Sequence, residues 1–455
     1  MPRQRRKILR KRRLQHLKHC CVQCGIEGSG KNEYSAEEVV MAHIKPFRAY
    51  RPTVEEAPVI TALPYDVYNV HEARTAVHEA PRSFLAIDRP EAHFPEGTDI
   101  YAPEVYQKAG AILQEWIREG RYLQDETESY YVWEMTMDGR VQTGLAACSA
   151  TADYHNGVIK KHENTRPEKE EDRIHHIEGC GAQTGPVLLV YRKQKQLQAL
   201  MEDAKTKDPV YDFTDATGVY HRIWRISDAH AVSAVTEAAG RIKNLYIADG
   251  HHRAAAASAI ARERKKYDTE PGKKEYDSFL TVMFADEEML ILDYNRIIKD
   301  RNGMSDEEIL TKLGSVFSVI EPQDAAYRPQ EKREMGLCLG GKWYRVRAKE
   351  ELYGSDPVST LDVEYLQKQV LEPLWGITEP GADPRIEFIG GDRGLEELER
   401  RCAEDAVAAF ALYPTSMDEL MAVADAGMLM PPKSTWFEPK LRTGLFIHEI
   451  EDKSI

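Results

Sequence analysis

Long apolar runs are absent from this 455-residue chain: no stretch approaches the roughly 18 continuous apolar residues of a membrane-spanning helix. Cysteine is scarce as well. The seven cysteines, Cys20, Cys21, Cys24, Cys148, Cys180, Cys338 and Cys402, are irregularly spaced, which excludes a disulfide framework and points to a reducing compartment. The charged N-terminus has no apolar segment behind it, so it does not read as a secretory signal. These absences together give the expectation of a soluble, cytoplasmic protein. Neither Ser149 nor Cys180 sits in a nucleophile-elbow pattern, which disfavours a serine or cysteine hydrolase.

The charge that is present is unevenly distributed. Net charge is −14, yet residues 1–40 hold ten Lys and Arg against four acids, a balance of +6, so residues 41–455 carry −20. An acidic body argues against nonspecific duplex binding, which needs a phosphate-neutralising surface. Residues 1–40 read as a disordered basic tail, and Cys21-x-x-Cys24 lacks the second pair that a zinc site needs. A second reading makes the tail an upstream mis-start. Glu37-Glu38-Val39-Val40 before Met41 can be encoded by a ribosome-binding-like run, which would place the natural start at Met41.

From Met41 onward the pattern is globular, and strands alternate with helices through the middle of the chain. Asp138-Gly139 between two alternating segments predicts a hairpin of 130–137 and 141–147. Strands are predicted at 186–191, 220–226, 243–248, 279–285 and 289–297, and helices at 102–119, 194–205, 229–242 and 251–266. The fold class expected is mixed α/β, divided into an N-terminal region 41–150, a central region 151–300 and a C-terminal region 301–455.

Three constellations carry chemistry. In the first, the apolar strand 243–248 enters Asp249-Gly250-His251-His252-Arg253 and an Ala-rich helix leaves it. The first turn of such a helix presents unpaired N–H groups and the positive dipole end. Two imidazoles and a guanidinium add donors for phosphate oxygens. Gly250 permits close backbone approach, and Asp249 stands at the strand's C-terminal end, where ligands of open α/β sheets bind. Zinc is a weaker reading of the adjacent histidines, which point about 100° apart on a helix. The second runs from Lys160 through His162, Glu163 and Thr165 to Arg166 ahead of Pro167. It is predicted to be a loop with the mixed donors of a site rim, followed by Lys169, Asp172, Arg173, His175 and His176. The third, Pro431-Pro432-Lys433-Ser434-Thr435, is a stiffened loop offering a point charge and two hydroxyls. Gly390-Gly391-Asp392-Arg393-Gly394 reads as a plain turn, and so does Pro64-Tyr65-Asp66-Val67 taken alone.

Taken in order, Pro64-Tyr65-Asp66-Val67, His162-Glu163-Asn164-Thr165 with Asp172-Arg173, Asp249-Gly250-His251-His252-Arg253, and Pro432-Lys433-Ser434-Thr435 with Pro439-Lys440 resemble the bacterial family catalogued as domain of unknown function 1015, from Met41 to the end. More distantly the chain is similar to the free-serine kinases of the ParB/sulfiredoxin-like superfamily. Those share a His-Glu loop, a strand–DGHHR–helix unit and a C-terminal Pro-Lys-Ser/Thr-Thr loop. This second resemblance implies a ParB-like phosphate-binding core at 151–300, with the 430–440 loop returning to it. It also implies an ATP- or ADP-dependent, Mg²⁺-requiring phosphoryl transfer to or from a small hydroxy amino acid, most naturally serine or phosphoserine. On that resemblance Glu163, Asp249 and His252 would be catalytic, and Gly250, His251, Arg253, Lys433, Ser434 and Thr435 would hold the nucleotide. His162, Thr165 and Arg173 would face the substrate, and Asp249 would hold the metal. Ala254 stands where the kinases have Trp, and Trp436-Phe437 where they have Arg-His. The competing expectations are a nucleotide-binding ParB-like regulatory or DNA-associated protein, and a phosphoserine-type phosphatase.

Overall fold

A computed structural model describes residues 41–269 and 272–451; the basic tail, with Cys20, Cys21 and Cys24, lies outside them. The described chain is mixed α/β, as the sequence pattern predicts. Its largest element is a nine-stranded sheet in the order 159–160, 245–249, 187–191, 278–285, 140–150, 130–137, 220–226 and 211–214, with Ile44–Lys45 paired to the end of 140–150. Two of its pairings are parallel, Leu245–Asp249 with Ile159–Lys160 and Ser278–Ala285 with Val187–Tyr191. The Asp138-Gly139 hairpin forms where predicted.

The central strands are buried at nearly every position because both faces of the sheet are covered. Tyr131, Trp133, Ala146, Leu188, Val190, Tyr246, Val282 and Phe284 pack to one side. Their alternate neighbours Tyr130, Val132, Leu145, Leu189, Ile247, Phe279 and Met283 pack to the other, against the helices. Strands from before and after residue 150 share this sheet, so the division expected at 150 falls inside one hydrogen-bonded unit. The hairpin 130–150 buries its two faces only by pairing with 220–226 and 278–285.

A second, six-stranded antiparallel sheet, in the order 317–323, 342–348, 334–339, 408–412, 294–298 and 386–390, carries the C-terminal region. Here the strand expected over 289–297 is split. Leu290–Leu292 pairs with Trp436–Glu438, while Tyr294–Ile298 belongs to the second sheet. Buried Asp293 makes the break: its carboxylate accepts from Asn295 (2.5 Å) and Arg328 (3.1 Å), and its carbonyl accepts from the Gly391 amide at 2.7 Å. The split places the 430–440 loop beside the first sheet.

Two helices, Pro103–Arg118 and Pro167–Cys180, cross at very short range. A Cβ on Gly110 would lie 2.0 Å from the Gly179 carbonyl oxygen, so glycine is required for that approach. The crossing brings Tyr106 to Asp172, whose carboxylate accepts its hydroxyl at 2.9 Å. No described helix is long and apolar enough to cross a membrane, and the four described cysteines are free.

Candidate active site

The site is built on the strand Leu245–Asp249 and the helix His251–Arg264 that follows it. A register shift between Ile247 and Asp249 re-aims the strand's last residue. Gly250, at φ +87°, makes the turn that an L side chain would strain. The helix forms because Ala254–Ala257 combine the highest helical propensity with side chains small enough to lie against the sheet. Its N-cap is Gly250, which supplies no side-chain cap, so the first-turn amides stay available to a ligand.

That helix start opens into a cavity of about 530 Å³. Around it stand Glu163, Arg166, Lys169 and Arg173 from the second constellation, and Asp249, Gly250, His251, His252 and Arg253 from the first. Lys433, Thr435, Trp436 and Lys440 come from the C-terminal loop, and Tyr65 and Asp66 from the turn at 64–67. The three motifs separated in sequence therefore converge, with Glu163 and Lys433 on the same cavity wall system as the His251 helix end. A hydrogen bond from the Met430 amide to the His162 carbonyl (2.8 Å) ties two of the loops together.

Three of the expected residues point elsewhere. The Ser434 hydroxyl donates to the Pro431 carbonyl at 2.6 Å and braces its own loop. Thr165 donates to Glu170 at 3.1 Å and stays off the cavity wall. His162 lies beneath the wall, its ring edge-on to His251 with centroids 4.6 Å apart. Lys433 does line the cavity. Its backbone at φ +59° is a left-handed conformation unusual for a side-chain-bearing residue, the sort of local strain that functional loops hold.

The charges divide into spent and unspent. Asp249 receives Lys440 Nζ at 3.1 Å on one carboxylate oxygen and the Gly250 amide at 2.8 Å on the other. Burial opposes both charges, but the pair overrules it, holding the Asp249 carboxyl well below the usual carboxylate range and Lys440 above its own. With both oxygens engaged and a cation alongside, Asp249 does not fit the metal-ligand role expected for it. Arg173 is likewise spent on Asp172 (2.9 Å), its guanidinium lying 3.9 Å from the Tyr65 ring centroid. Burial pushes the Tyr65 phenol up to about 12, so it stays a neutral donor.

By contrast, among the described residues Arg253 makes no salt bridge, touching the Pro186 carbonyl (3.1 Å) and the Tyr65 ring face, and Lys433 lies over the Tyr294 ring. His252 accepts the Arg166 amide on Nε2 at 3.1 Å, which puts its proton on Nδ1. Burial, then the Arg166 charge, lowers its pKa. Burial also pushes His251 down to about 4 and His162 to about 3, so both rings are neutral near pH 7.

Sequence reasoning assigned no role to Tyr65, Asp66, Tyr106, Asp172 or Lys440. Tyr65, Asp66, Asp172 and Lys440 fall in segments the motif resemblance marks, and that was the available signal; Lys440 is 191 residues from its partner.

The family described as "Protein of unknown function (DUF1015)" matches residues 44–364. The chain belongs to that family. In this DUF1015 chain the match covers the 64–67 turn, the 162–173 segment and the 249–253 turn, while the 430–440 loop lies beyond it. Solved structures it is similar to include a free serine kinase in complex with AMP, at 14% identity over 64% of this chain and 88% of that one, with a TM-score of 0.33. A second is SbnI with C-terminal truncation from Staphylococcus aureus, at 11% identity over 68% and 90%, TM-score 0.34. A third is a conserved hypothetical protein from Pyrococcus furiosus, at 15% identity over 62% and 88%, TM-score 0.30. No curated protein matches the chain.

Proposed function

We propose that the DUF1015 chain is a phosphotransferase that moves a phosphoryl group between a nucleotide, ATP or ADP as its Mg²⁺ complex, and the hydroxyl of a small amino acid, serine or phosphoserine. One observation carries the reading. In a chain of net charge −14, the cavity at an uncapped helix start presents Arg253 and Lys433 with no carboxylate at salt-bridge distance among the described residues, while Asp249 and Asp172 are neutralised by Lys440 and Arg173. Such a cavity favours a polyanion, and its volume falls in the range of about 300–1,000 Å³ usual for small-molecule sites.

Phosphoryl transfer asks the protein for positioning and charge neutralisation. The first-turn amides, His252 Nδ1–H, Arg253 and Lys433 would hold phosphate oxygens. In the forward direction the bond from phosphorus to the nucleotide's bridging oxygen breaks, a bond from phosphorus to the serine oxygen forms, and the hydroxyl proton passes to a carboxylate. Glu163 suits that role better than Asp249, because Asp249 is held ionised and fully engaged while Glu163 is half-buried on the wall. The Tyr65 hydroxyl, beside the Arg173–Asp172 pair, is available to the amino acid's carboxylate.

The test is incubation of the chain with L-serine, Mg²⁺ and ATP or ADP, and of phosphoserine with ADP or AMP, followed by ³¹P NMR. Phosphoserine formation, or its loss onto nucleotide, abolished in Glu163→Gln and Arg253→Ala, is the expected result. Release of inorganic phosphate from phosphoserine without nucleotide would replace the reading with a phosphatase. Inertness toward all these substrates would end it.

A further inference from the structure

We propose that His162, Glu163 and His251 form a binding site for a divalent transition-metal ion at the edge of the cavity. One ligand atom from each lies within 4.8 Å of the other two. The imidazoles come from different elements, the loop after Ile159–Lys160 and the first residue of the helix His251–Arg264. They are 1% and 5% exposed. His162 has at most one ring nitrogen engaged, toward the Ile247 backbone, and Nε2 of His251 has no hydrogen-bond partner. Buried polar atoms left without partners are costly and rare, and a cation among them removes that cost for the nitrogens that bind it. Glu163 supplies the charge: its Oε2 lies 3.9 Å from His251 Nδ1.

Two imidazoles and one carboxylate make up a three-ligand set with room for a further ligand, and this set selects Zn²⁺, Fe²⁺, Mn²⁺ or Co²⁺ over Mg²⁺, which prefers oxygen. Metal–ligand bonds of about 2.0–2.2 Å need the three atoms drawn closer by roughly an ångström, within reach of side-chain rotation. Since His251 and Glu163 line the cavity and His162 lies beneath it, the open coordination position faces the ligand space. Glu163 keeps Oε1 free when Oε2 binds.

Metal binding is read without nucleotide or serine, so its failure and that of the phosphotransferase reading are separate results. The metal-stripped chain is titrated with Co²⁺ and followed by visible absorption. One Co²⁺ per chain, with the d–d bands of a low-symmetry nitrogen-containing site, displaced by Zn²⁺ and not by equal Mg²⁺, is the expected outcome. Loss of an outer-shell partner typically weakens a metal site by about 10–100-fold, so His162→Asn, His251→Asn and Glu163→Gln should each weaken Co²⁺ by about 100-fold or more. Glu163 is on the wall and half-exposed, so Glu163→Gln should melt as the wild type does and keeps the test decisive if a histidine variant unfolds. Absence of the nitrogen-ligand spectrum, Mg²⁺ competing equally, or Glu163→Gln binding Co²⁺ as tightly as wild type would each overturn the site.

Discussion

Replacing Lys440 by Met removes the cation from Asp249 and keeps the length of the side chain. At 3.1 Å the bare Coulomb attraction is about 5 kcal/mol for an effective dielectric near 20. That is an upper figure, because the Asp249 side chain is 39% exposed to the cavity and solvent there screens it. Fully exposed pairs are worth about 0–1 kcal/mol, and breaking fully buried ones costs about 3–5, so an intermediate coupling of about 1–2 kcal/mol follows. Lys440 also lies 4.8 Å from the Trp436 ring, and Met forfeits that contact as well. A double-mutant cycle with Asp249→Asn separates the two, since the ring contact is lost in both backgrounds. Thermal unfolding of the four proteins should show Lys440→Met about 1–2 °C below wild type, given the size dependence of such shifts, and less than additive loss in the double variant. Anion affinity gives a second readout. Lys440→Met leaves an unopposed carboxylate beside the helix start and should weaken ADP binding by about tenfold or more, and Lys440→Met/Asp249→Asn should recover part of it. Additivity of the two substitutions to within about 0.3 kcal/mol would refute the reasoning that the pair neutralises the site.

Arg253→Ala should weaken nucleotide binding measured by calorimetry by about 10–150-fold, the worth of a charge-assisted hydrogen bond of about 1.5–3 kcal/mol, with little change in melting. Gly185→Ala should act on the same group from outside the cavity, because its Cβ would sit 2.7 Å from the Arg253 guanidinium carbon; a binding constant unchanged within twofold in both would discount Arg253. Gly110→Ala should destabilise by about 3 kcal/mol or more in denaturant titration, since a Cβ there meets backbone that no rotamer change can move. Acid should unfold the protein between about pH 4.5 and 2. Hydrogen bonding to His448 holds Glu275 down to about 2, bonding to Arg401 holds Glu387 to about 2, and Asp249 is depressed as above. Groups with depressed folded-state pKa stabilise above their unfolded values, and that stability is lost as pH falls toward the folded ones. Tryptophan fluorescence against pH checks this: a transition centred above pH 5 would assign acid unfolding to other groups.

The strand–turn–helix at 245–264 was legible because all its determinants are local: an apolar run, a glycine for the turn, and alanines for the helix. The same holds for the hairpin at Asp138-Gly139. Where both faces of a strand are buried, the alternation that sets register vanishes, so the pairing of 130–150 with 278–285 could not be read from the pattern. The break at Asp293 was equally invisible, because a buried Asp is stable there only through Asn295 and Arg328, and contacts of that kind have no sequence period.

The sequence by itself determined which residue types stand at the helix start and in the two loops, because propensity and turn chemistry act over a few neighbours. Only tertiary structure decided which of them face one another. It turned Ser434 and Thr165 away from the cavity, engaged Asp249 with Lys440 across 191 residues, and set His162 against His251. The physical reason is that charge pairing and burial depend on distance in space, which the chain fixes only when its sheets close.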